Sequence, residues 1–138
     1  QVKFFTFDTS ADPVKHERAF KDLIAGTPVK TATIHNLDTV YRLMRGLPAS
    51  NIVTVAMAKV EIPKGIYRIG VTAGDVVRVY MDNKLIIDSW DPSKIVYDAD
   101  YHLEAVLPLK GKHVIRIVQA QYNYGMLMFT LHPVEEYN

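Results

Sequence analysis

The sequence predicts an all-β protein, an antiparallel β-sandwich with one short N-terminal helix. Three observations carry this. Over residues 76–90, Val77, Val79 and Met81 alternate with Arg78 and Tyr80, and Leu85, Ile86 and Ile87 resume the apolar run after Asp82-Asn83-Lys84, which reads as a β-hairpin turning at Asp82-Asn83. Both turn residues tolerate the left-handed backbone of a tight two-residue turn. From Asn51 onward, short strand patterns recur between turn signals, the mark of a sandwich or barrel. Finally, Tyr101, Leu103, Ala105 and Leu107 alternate with His102 and Glu104, as one buried and one wetter face require.

In chain order, residues 2–7 form an aromatic-rich first strand. Asp12 before Pro13 suits a helix cap and a first helical position, because the carboxylate accepts orphan amides and proline has none to waste. His16, Ala19, Phe20, Leu23 and Ile24 follow at helical spacing, and Gly26 with Pro28 stops the helix, which is predicted over about 13–24. Strands are then predicted over 53–62, 66–72, 76–81, 85–90, 101–107, 113–120 and 126–131. The turns between them are Pro63-Lys64-Gly65, Ala73-Gly74, Asp82-Asn83, 108–112 and 123–125. Val77, Val79, Tyr101, Leu103, Ile115, Ile117, Leu127 and Phe129 are the expected interior.

A chain of 138 residues is long enough to bury a sizeable core as one domain, and it reads as a single module over 1–138. The net charge of +1, with both signs interspersed, offers no basic footprint for nucleic acid. No apolar run approaches the roughly 20 residues that span a bilayer, so membrane insertion is not expected. The absence of cysteine excludes disulfides, thiolate metal sites and cysteine nucleophiles. Because the chain begins at Gln1 without a methionine or a signal-like segment, it is read as a piece of something longer.

Catalytic patterns are not found. His16, His35, His102, His113 and His132 are scattered without metal-ligand spacing, no serine sits in a nucleophile elbow, and the glycines do not link a strand to a helix as a phosphate cradle would. The expectation is a non-enzyme without a cofactor. What stands out is acidic and aromatic: Asp88, Trp90, Asp91, Tyr97, Asp98, Asp100 and Tyr101. Sugars stack their C–H faces on rings and meet polar side chains with their hydroxyls, while calcium takes several oxygens. The plainer reading stays open: Trp90 and Tyr101 as strand-end core, the aspartates as solvated turn residues.

Asp75, then Val77-Arg78-Val79-Tyr80, then 82–88 and Trp90 resemble the signature hairpin of the protective-antigen-type (PA-fourteen) domain. The stretches 63–69 and 109–115 resemble its proline-glycine and glycine turns, and Gln121-Tyr122-Asn123-Tyr124-Gly125 with the following apolar strand is similar to its closing segment. The match covers roughly 53–132 in the right order. The resemblance implies a jelly-roll-like sandwich and an extracellular, cell-surface or periplasmic setting beside toxins, glycosidases or adhesins. It would also place a strand over 37–45, where Leu37, Val40, Tyr41 and Met44 taken alone fit a helix; strand is the expectation.

In the family's sugar-binding adhesins, two consecutive aspartates chelate a calcium ion that holds the sugar. At the matching place stands Gly74-Asp75, one acid short, which puts a calcium site at Asp75 in doubt. The functional expectation is a carbohydrate-binding module of a larger secreted or surface protein, with Asp75, Asp91, Tyr97, Asp98, Tyr122 and Tyr124 as candidate ligand residues. The alternative is a spacer or docking domain whose partners are neighbouring domains of the same polypeptide.

Overall fold

The computed structural model describes residues 1–33, 51–90, 101–122 and 127–134. Its strands are β1 (Val2–Thr6), β2 (Lys30–Ala32), β3 (Ile52–Ala73), β4 (Val76–Met81), β5 (Lys84–Ser89), β6 (Tyr101–Gln121) and β7 (Leu127–Pro133), with one α-helix, α1 (Glu17–Ala25). Two long strands carry the architecture. β3 and β6 are antiparallel partners from Ile52 opposite Gln121 to Ala73 opposite Tyr101. A straight strand of β6's length would hold its ends about 65 Å apart at roughly 3.3 Å per residue. Yet Tyr101 pairs with Ala73 while Ala120 pairs with Val76, three residues further along. The ribbon is therefore folded double.

The corner lies where the register shifts between Ile62 and Gly65, opposite Gly111 with its φ of 84°. Pro63-Lys64-Gly65 and 108–112 were expected to end strands, but the ladder runs through both, and their proline and glycine supply a bulge and a bend. The bulge adds one residue to β3, so its inward positions change from even (Ile52, Ala56) to odd (Ile69, Val71, Ala73), while β6 keeps odd positions inward on both sides.

One half of the folded ribbon is a sheet in the order β2-β1-β3-β6-β4-β5; in the other half β7 pairs with β3 on the side away from β6. Between the halves lies the larger core, with Phe4, Ile52, Ile69, Val71, Val77, Val79, Ile115, Ile117 and Leu127 buried. The expected interior therefore holds for Val77, Val79, Ile115, Ile117 and Leu127, with Leu103 and Phe129 partly buried against it. Leu85-Ile86-Ile87 fails to alternate because β5 bulges opposite Val79 and Tyr80, which lets Ile86 and Ile87 both approach the core.

A second core lies on the outer face of the first half, where Phe5, Phe7, Val53, Val55, Val76, Val118 and Ala120 meet Phe20, Leu23 and Ile24 of α1. β1 is thus buried on both faces, which explains its aromatic density. The helix starts later than expected. Asp12 does cap, through Oδ1 to the amides of Val14 and Lys15, but it caps a separate turn, and α1 begins only at Glu17. The expected strand over 37–45 lies outside the described residues.

Candidate functional site

The folded ribbon brings several strand ends to one end of the sandwich. Ala73 lies opposite both Tyr101, which opens β6, and Leu127, which opens β7. Gln121 closes β6 opposite Ile52, and Ser89 closes β5 opposite Val77, next to Trp90. The described residues flanking 91–100 and 123–126 therefore gather around the Gly74-Asp75 turn. Of the candidate residues, Asp91, Tyr97, Asp98 and Tyr124 lie outside the described residues; Asp75 and Tyr122 lie within them.

Asp75 is held in the left-handed conformation, φ 59°, and is only 6% exposed. Its carboxylate accepts the backbone amide of Tyr122, so it ties the β3–β4 turn to the end of β6. Gln119, fully buried below, donates its Nε2 to the Gly74 carbonyl at 2.9 Å and to Gln121 Oε1 at 3.3 Å, fixing the same turn from beneath. Gly74 and Asp75 do not by themselves make a calcium site. Gly74 contributes no side-chain oxygen, Asp75 is inward and engaged, and among the described residues no group of three or more His, Cys, Asp or Glu could hold a metal.

Tyr122 is half-buried. Its hydroxyl donates to Asp12 Oδ1 at 3.0 Å and its ring meets Phe7 edge-on, centroids 5.5 Å apart. It brackets the end of β6 to the segment leading into α1. Burial alone would push the Asp12 carboxyl up, but the amides of Lys15 and Val14 and the Tyr122 hydroxyl together outweigh it and hold the group below its ordinary value.

Beside this end a groove of about 250 Å³ runs between α1 and the outer faces of β4 and β6, with Trp90 at its edge. Trp90 donates its indole N–H to the Pro13 carbonyl at 2.9 Å and packs on Phe20, centroids 5.4 Å apart. The Arg78 guanidinium lies 4.9 Å from the Trp90 ring centre and is held by Asp88 at 3.3 Å and Glu17 at 3.4 Å. Arg116 stands 5.9 Å from the Tyr80 ring, and no carboxylate among the described residues pairs with it. Trp90 is thus a strand-end core residue, as the plainer reading had it, that also edges a groove. Sequence reasoning missed Tyr80 and Arg116 as site residues; the available signal was a ring and a second cation, after Arg78, on strand faces that otherwise carry Val76, Val114, Val118 and Ala120.

A model of the PA14 domain family matches residues 26–128. No curated protein matches the chain. Among solved structures it is similar to a β-glucosidase from Kluyveromyces marxianus in complex with glucose, at 12% identity and a TM-score of 0.65, over 98% of this chain and 15% of that one. It is also similar to a PA14 sugar-binding domain from an RTX adhesin, at 13% identity and a TM-score of 0.62, over 96% of this chain and 88% of that one. The A domain of epithelial adhesin 9 from Candida glabrata, in complex with Galβ1-3GlcNAc, matches at 13% identity and a TM-score of 0.62, over 99% and 82%. The chain therefore spans a small part of the glucosidase and most of each adhesin domain. The folded ribbon, its helix and the family match together place it: the chain belongs to the PA14 domain family.

Proposed function

We propose that this chain is a non-catalytic carbohydrate-binding module, a single domain of a larger secreted or cell-surface protein, located outside the cell or in the periplasm. The reading is carried by the gathering of strand ends around Gly74-Asp75, because connections held by a rigid sandwich are where such folds keep their sites. It is supported by the whole-domain likeness to two adhesin domains, one termed sugar-binding and one solved with a disaccharide. Asp91, Tyr97, Asp98 and Tyr124 are the proposed contacts, with the tyrosine rings stacking on sugar. Tyr122 and Asp75 support the site from below, since both are engaged within the fold.

A second reading is favoured by one observation. Asp75, the acid that matches the family's calcium ligand, is inward and bonded to the Tyr122 amide, which suits a spacer or docking domain that binds no sugar. A glycan array with and without calcium separates the two. The binding-module reading expects capture that persists in chelator and weakens in Tyr97→Ala or Tyr124→Ala with unchanged melting temperature. No glycan bound at millimolar concentration would leave the docking reading in its place.

A further inference from the structure

The groove between α1 and the sheet has a charge pattern that the fold does not balance. Three cations line it, Lys21, Arg78 and Arg116, against one acid, Glu17. Glu17 is committed to Arg78 at 3.4 Å and to Lys21 at 3.9 Å, and Arg78 takes Asp88 as a second partner. Arg116 has no carboxylate partner among the described residues, in a groove whose other walls include Phe20, Ile24 and Val118. Desolvating an arginine beside apolar side chains costs free energy unless an anion arrives.

The geometry narrows the anion. Tyr80, opposite Arg116 in the ladder, sets its ring centre 5.9 Å from the guanidinium carbon, and an arginine fork is matched in shape and charge by a carboxylate or sulfate. The volume of about 250 Å³ falls below the roughly 300–1,000 Å³ of pockets for drug-sized ligands, and suits one ring of a longer chain. Ile24 and Trp90, both partly exposed along the groove, offer contact to the C–H face of such a ring.

We infer that this groove is a subsite for an acidic sugar, a pyranose carrying a carboxylate or sulfate that Arg116 receives. The inference rests on the carbohydrate reading and adds the ligand's charge and a position for it, on the sheet's outer face beside Trp90 and apart from Asp75.

The test titrates the 138-residue chain at low salt with a galacturonate trisaccharide, a sulfated trisaccharide and a neutral galactose trisaccharide, each against native protein and Arg116→Gln. The expected result is that at least one acidic ligand binds about tenfold or more tighter than the neutral one, as a charged hydrogen bond would provide. Salt should weaken that binding, and Arg116→Gln should abolish the preference without lowering the melting temperature. If acidic and neutral sugars bind alike, or the preference survives Arg116→Gln, the inference is overturned and the carbohydrate reading stands. If none of the three sugars binds, the inference falls, and the glycan array then decides the carbohydrate reading separately.

Discussion

Thr54 and Gln119 face each other across the β3–β6 ladder, both fully buried, and neither Thr54 Oγ1 nor Gln119 Oε1 has a hydrogen-bond partner among the described residues. A buried hydroxyl without a partner loses its hydration and gains nothing in return. Thr54→Val keeps the shape and removes that loss, so it is expected to stabilise the fold by about 1 kcal/mol, read as a raised denaturation midpoint with an unchanged m-value. At this scale the sequence was only partly legible. Trp90 could be named as strand-end core because a large ring after an apolar strand has few other places to go. The role of Asp75 could not, since an acid looks alike whether it faces a cation or accepts an amide 47 residues further along the chain. Arg116 was illegible for a related reason: that no acid among the described residues pairs with it depends on which strands lie beside it.

Among the elements, the β4–β5 hairpin was the most legible. Asp82 and Asn83 both take positive φ, 52° and 66°, as a tight two-residue turn requires, so local chemistry alone located it. The corner was misread because proline and glycine announce a bend, while only the distant partner strand decides whether pairing continues through it. Asp82 also joins these two places. Its carboxylate accepts the Val114 amide at 2.8 Å and meets His113 Nδ1 at 2.6 Å, while His113 Nε2 lies 2.9 Å from the Lys110 carbonyl at the corner. With an acceptor at each ring nitrogen, the charged imidazole is favoured: the bond to Asp82 raises the His113 pKa above its ordinary value. The Val114 amide first, and His113 second, lower that of Asp82. A raised histidine contributes stability that is full below its unfolded value of about 6.5 and is lost as pH rises through the higher folded value. The lowered aspartate contributes above about 3.9 and loses its share as pH falls through the folded value. Melting temperature is therefore expected to decline as pH rises from 6 to 9, and His113→Gln should flatten that decline; parallel slopes in the two proteins would refute the coupling.

For the whole molecule, the sandwich class was legible because alternation and turn spacing are local, and the resemblance added the family. The doubling of the ribbon was not, since it rests on pairings such as Ile52 with Gln121. The doubling also gives the molecule a polarity. Beyond β7, the Val134 amide bonds to the Ile66 carbonyl at 2.8 Å, beside the corner, whereas Leu127 at the other end of the same strand lies opposite Ala73. From Ile66 to Ala73 the strand covers about 23 Å at roughly 3.3 Å per residue. Val134, the last described residue, thus stands at the end opposite the gathered connections, so a probe fixed on its side of the corner and one fixed at Gly74-Asp75 would be separated by at least that reach.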